Sequence, residues 1–95
     1  MAIHLTIRGR VQGVGYRQWF RRRALELGVS GWIRNRSDDT VEALVFAGDE
    51  AYAQLLRDAM NGPLGAKVDA IDEKAITFSH PEREQVDGFE IRPTV

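Results

Sequence analysis

A change of hydrophobic period across a run of glycines constrains this chain more than any other feature. Ile3, Leu5 and Ile7 alternate with His4, Thr6 and Arg8, the period of a strand that buries one face. Gly9, Gly13 and Gly15 follow, and beyond them Tyr16, Phe20, Ala24 and Leu27 recur at helical spacing. Strand, glycine loop and helix therefore succeed one another, with the strand expected at or near the centre of a sheet. Gly28 stands where a left-handed cap would end the helix.

The remaining punctuation divides the chain cleanly. Gly31, Trp32 and Ile33 read as a second strand, the polar residues 36–40 as a turn, and the apolar run from Val41 to Phe46 as the return strand of a hairpin. Gly48 and Asp49 open a second helix with Tyr52, Leu55, Leu56 and Ala59 on one face, and Asn61, Gly62 and Pro63 close it. Residues 68–78 have strand character broken by Asp69, Asp72 and Glu73, which predicts a change of phase at a bulge. A polar loop containing Pro81 and a short strand around Phe89 to Ile91 complete the chain. The order matches the split βαβ arrangement. The expectation is an α+β fold, a ferredoxin-like α/β sandwich (βαββαβ), with two helices on one face of an antiparallel sheet and a single domain over residues 1–95.

Composition narrows the function classes. A chain of 95 residues, 43% hydrophobic and 28% charged, has the profile of one ordinary globular domain. Thirteen basic residues against fourteen acidic ones leave no net-charge argument for nucleic acid or an anionic membrane. Cysteine is absent, so disulfides, thiolate nucleophiles and cysteine-ligated zinc are excluded. The opening MAIHLTIRGR resembles neither a secretory signal nor a membrane span, and the expected location is the cytoplasm. On that expectation, the glycosylation pattern Asn35-Arg36-Ser37 is a coincidence. Arg21, Arg22 and Arg23 fan around their helix instead of forming a patch, and Trp19 and Trp32 are read as packing residues. His4 and His80 fit no metal-ligand spacing, and Asp38 with Asp39 reads as a turn.

The segment GRVQGVGYR at residues 9–17 is the place where chemistry could reside. Glycines let successive amides point into one concavity, and a helix N-terminus adds free N–H groups and partial positive charge. Arg17 stands at the end of the loop with a planar fork suited to two phosphate oxygens. The Lys-Ser/Thr pair of a Walker loop and the glycine spacing of a dinucleotide fingerprint are both missing. From these residues alone, a tight strand-to-helix connection accounts for the glycines as well as an anion site does.

GRVQGVGYR strongly resembles the signature of acylphosphatases, and GWIRN at residues 31–35 resembles that family's second signature at the expected distance. Ala24, Gly28, the segment GPLGAKV at residues 62–68 and GFEIRP at residues 88–93 extend the resemblance over nearly the whole chain. It implies a ferredoxin-like sandwich, a carboxylic-phosphoric mixed anhydride as the small-molecule substrate, and neither metal nor other cofactor. It also implies catalysis by Arg17 and Asn35, with the amides of Gln12, Gly13, Val14, Gly15, Tyr16 and Arg17 holding the phosphate. Asp39 stands where the family usually has a hairpin glycine, Ile33 replaces a smaller or less branched residue, and Ala47 precedes Gly48 where the glycine is usual. No nucleic acid or membrane partner is expected, and the chain is read as a monomer.

Two rival readings fit the same residues. One is a noncatalytic ferredoxin-like module that binds RNA or a small anion through Arg10, Arg17, Arg34 and Arg36, although the aromatic signature of an RNA-recognition motif is missing. The other places the same domain inside a larger carbamoyl-transfer machine.

Overall fold

The computed structural model describes residues 2–76 and 88–95. Its elements run β1 (Ala2–Arg10), α1 (Tyr16–Glu26), β2 (Ser30–Asn35), β3 (Val41–Phe46), α2 (Asp49–Asn61), β4 (Lys67–Ile76) and β5 (Phe89–Ile91). All five strands join one sheet in the order β4-β1-β3-β2-β5. The neighbours β4-β1, β1-β3 and β3-β2 are antiparallel, whereas β5 lies parallel to β2 and makes the sheet mixed at that edge. The expected continuation of the fourth strand to Phe78, the Pro81 loop and His80 lie outside the described residues.

Alternation decides which face of the sheet is covered. Ile3, Leu5 and Ile7 of β1 and Val41, Ala43 and Val45 of β3 share one buried cluster with Tyr16, Phe20 and Ala24 of α1 and Leu55 and Ala59 of α2. Both helices thus bury their apolar stripes against the odd-numbered residues of the central strands. At its C-terminus α1 closes with the amide of Gly28 donating to Leu25 and that of Val29 to Ala24, the paired bonds of a Schellman cap. Side chains then fix α1 against α2. The buried Tyr16 hydroxyl donates to the Ala59 carbonyl at 2.8 Å, and Arg23 Nε donates to Asp58 at 2.5 Å. Burial raises the Tyr16 pKa, so its phenol remains a donor.

The predicted bulge is present between β1 and β4. Arg8 pairs with Ala70 and Gly9 with Val68, leaving Asp69 as the extra residue. The strands come together so closely there that a Cβ on Gly9 would lie 2.2 Å from the Lys67 carbonyl oxygen and 2.8 Å from the Asp69 nitrogen. Only glycine fits, and its φ of 127° is one that side-chain-bearing residues avoid. This kink ends the regular ladder just before the glycine loop.

On the other face of the sheet, Trp32 and Leu44 form a small cluster with Phe46 and Ile76 packed against it. The guanidinium groups of Arg34 and Arg92 lie 4.7 and 5.0 Å from the Trp32 ring centroid. Trp32 is therefore a packing residue capped by cations, not a platform open to a base.

Candidate active site

The loop between β1 and α1 has buried and open parts. Val11 is sunk in the core at 1% exposure, whereas Gly13 and Gly15 are exposed. Both glycines are left-handed, at φ 75° and 77°, and a Cβ on either would meet nothing within 4 Å. Their need is therefore conformational and not steric, unlike that of Gly9. Left-handed glycines thus stand on either side of Val14, an alternation of backbone hand of the kind that anion nests use.

α1 begins directly on this loop. Its first backbone bond runs from the Trp19 N–H to the Gly15 carbonyl at 3.1 Å, so the amides of Tyr16, Arg17 and Gln18 have no acceptor within the helix. Gly15 supplies no side-chain cap and the first turn carries no acidic residue, so neither compensates the positive end of the helix. Arg17 is half-buried in that first turn, and among the described residues its guanidinium has no hydrogen-bond or ion-pair partner. Arg10 and Arg22 likewise have none among the described residues, whereas Arg8 meets Asp72, Arg21 the Phe89 carbonyl, Arg23 Asp58, and Arg34 and Arg36 both meet Glu42.

Asn35 is the last residue of β2 and pairs with Val41. It alternates with Arg34 and shares a face with the buried Ile33, so its side chain projects toward the helices. Its Oδ1 is buried and has no hydrogen-bond partner among the described residues. A buried acceptor without a protein donor is uncommon, and an ordered water or a ligand is the usual remedy. The main chain of Asn35 is anchored by the Val95 amide, which donates to its carbonyl at 3.2 Å, while the Ser37 amide donates to the Val95 oxygen at 2.7 Å.

The turn after Asn35 is well determined. Arg36 N–H donates to the Thr40 carbonyl at 2.9 Å, and Asp39 N–H to the Arg36 carbonyl at 3.2 Å. Asp38 Oδ1 accepts from both the amide and the hydroxyl of Thr40, bonds that hold its carboxyl below the usual range. Asp39 takes φ 71°, the left-handed conformation that the usual glycine would supply. Across the gap from the loop, Gln12 Nε2 donates to the carbonyls of Arg36 at 2.8 Å and Thr40 at 2.9 Å. The glycine loop and the Asn35-bearing hairpin thus meet at one end of the sheet.

Comparison with known proteins matches residues 3–91 to the acylphosphatase family model. The chain belongs to the acylphosphatase family. An acylphosphatase of Acidiphilium cryptum is 47% identical over 94 residues, 99% of this chain and 98% of that one. One from Thiobacillus denitrificans is 49% identical over 90 residues, covering 95% and 94% of the two chains. The solved acylphosphatase of Coxiella burnetii superposes with a TM-score of 0.85 at 31% identity, over 96% of this chain and 90% of that one. The protein is accordingly an enzyme, a hydrolase of the acylphosphatase type.

For an acylphosphatase, two features of this region could not be read from sequence. The side chain of Gln12 is engaged with the hairpin, a contact invisible in a residue type that is usually solvated. Glu42 receives Arg34, Arg36 and His4 on the open face of the sheet, and its one sequence signal is being the lone acid inside the apolar run 41–46. A shallow groove lined by Leu27, Glu50, Ala51, Ala53, Gln54 and Arg57 lies near the C-terminal end of α1, at the opposite end of that helix from the glycine loop. No helix in the described residues is long and apolar enough to cross a membrane.

Proposed function

We propose that this acylphosphatase hydrolyses carboxylic-phosphoric mixed anhydrides to carboxylate and inorganic phosphate. In this reading the amides of residues 12–17 and the Arg17 guanidinium hold the phosphoryl group, while Asn35 orients the attacking water. The observation that carries it is the set of uncommitted polar groups at one end of the sheet: the uncapped start of α1, Arg17, and the buried Asn35 Oδ1. Such a set suits a dianionic group and one water.

The substrate is already activated, so the protein's work is positioning and stabilisation of charge on the phosphoryl oxygens. Asn35 Oδ1 accepts one O–H of the water and turns its lone pair toward phosphorus. The P–O bond to the acyl group breaks as the new P–O bond forms, and the carboxylate departs. An amide is no base at neutral pH, so the second water proton passes to a phosphoryl oxygen and the product is dihydrogen phosphate.

Benzoyl phosphate hydrolysis in the presence of a chelator tests the reading. The parent turns over, and Arg17→Ala and Asn35→Ala each lose roughly a hundred- to thousand-fold in kcat while remaining folded. Phosphate binding by a folded parent without turnover would instead favour the noncatalytic anion-binding module. The engagement of Arg34 and Arg36 with Glu42 argues against that alternative, because two of its four proposed cationic contacts are already occupied.

A further inference from the structure

We infer that the Gln12 side chain is a positioning residue that sets the place of Asn35 relative to the phosphate loop. The inference rests on the roles proposed above for the loop and Asn35. It assigns to Gln12 something separate from its main-chain amide: a brace between the two halves of the site.

The sheet leaves this junction without a ladder. β1 and β3 stop pairing at Ile7 and Val41, and β2, which ends in Asn35, is separated from β1 by β3. Beyond Ile7, β1 is paired on its β4 side alone, as far as Arg10 opposite Lys67. No main-chain bond among the described residues then joins the loop to the turn at 36–40. Gln12 supplies the connection. Its amide has two protons, and it places one on the carbonyl at each end of that turn, Arg36 at 2.8 Å and Thr40 at 2.9 Å. Each of those carbonyls also accepts a bond from within the turn, Asp39 N–H to Arg36 and Arg36 N–H to Thr40. The brace thus grips the closed turn at both ends, one residue beyond Asn35.

Asn35 depends on such support because its own Oδ1 has no hydrogen-bond partner among the described residues. A displacement of about 1 Å at a positioned reactant can lower a rate as much as a hundredfold. The phosphate nest, by contrast, is shaped by the left-handed Gly13 and Gly15 and by the start of α1, while both hydrogen bonds of the Gln12 side chain go to the hairpin turn. Loss of the brace should therefore slow turnover and leave phosphate affinity nearly unchanged.

The test compares Gln12→Met, which keeps the length and loses both donors, with the parent, Asn35→Ala and the double variant. The expected result is a kcat about 10- to 100-fold lower in Gln12→Met, with inhibition by inorganic phosphate shifted by less than about twofold. In the Asn35→Ala background, Gln12→Met should lower kcat by no more than about twofold further, because acting through Asn35 makes the two effects non-additive. Equal losses in both backgrounds, or phosphate inhibition weakened as much as kcat, would overturn the inference. Gln12→Ala repeats the measurement should the methionine variant fold poorly. In the parent itself, the Gln12 side-chain amide protons should exchange slowly with solvent, and fast exchange would remove the brace. That last readout needs no turnover, so an inactive parent would sink the proposed function and still leave the brace judged.

Discussion

His4 Nε2 and Glu42 Oε2 lie 2.6 Å apart on the open face of the sheet, with the Glu42 side chain only 8% exposed. Arg34 Nε reaches the other carboxylate oxygen at 2.6 Å, and Arg36 approaches from the turn at 3.3 Å. Burial by itself would raise the Glu42 pKa, but hydrogen bonds from His4 and Arg34 and their charges outweigh it and hold the group below its ordinary 4.5. A depressed carboxylate stabilises the fold above its unfolded pKa and loses that contribution as pH falls through its folded value. The parent should therefore lose stability on acidification below the usual carboxylate range. Glu42→Gln should be less stable at neutral pH by about 1–3 kcal/mol, since a buried hydrogen-bonded charge is removed from two arginines. Its acid slope should be shallower. Urea unfolding at several pH values checks both, and an unchanged slope would remove Glu42 from the explanation.

Arg17→Lys separates a clamp from a charge. A lysine places one point charge where the guanidinium offers a planar fork. Its kcat should fall by roughly a hundredfold or more, on the scale of losing a preorganised donor. Near-full activity in the lysine variant would contradict the bidentate role.

The rate of an amide-and-guanidinium site should change little around neutral pH, because neither group titrates there. A steep inflection near the ordinary histidine value of about 6.5 that disappears in His4→Gln would count against the mechanism. His4 belongs to the Glu42 network on the open face, whereas Asn35 points toward the helices.

Two glycines near the loop should answer an alanine scan differently. Gly9→Ala forces a Cβ to within 2.2 Å of the Lys67 carbonyl oxygen at φ 127°, so the β1–β4 bulge must open. Its cost should reach about 3 kcal/mol or more, combining overpacking with a glycine-only conformation. Gly13→Ala meets open space and pays only for the left-handed backbone, roughly 1–2 kcal/mol. It should instead distort the amide nest and weaken inhibition by inorganic phosphate. Thermal unfolding and phosphate inhibition, measured on both variants, distinguish the pattern; equal destabilisation would defeat it.

Much of this was legible along the chain because each signal lies among neighbours in sequence. Alternation at Ile3, Leu5 and Ile7, the helical spacing from Tyr16 to Ala24, the stop at Gly62 and the bulge signalled by Asp69 all correspond to observed elements. Asp39 takes the left-handed turn position, as a residue tolerant of that region can. The parallel pairing of β5 with β2 was not legible, since a three-residue strand carries no mark of its partner's direction.

Local sequence thus determined the elements and the glycine loop, because period, caps and turn chemistry act over a few residues, while the resemblance to the acylphosphatase signatures singled out Arg17 and Asn35. Tertiary structure decided what those residues touch. Arg17 and Arg34 are the same residue type, yet one has no partner among the described residues and the other is bound to a carboxylate eight positions away. Gln12 braces a turn 24 and 28 residues further along the chain. Such pairings depend on which strands lie side by side, and that order arises only when the sheet and both helices close over one shared core.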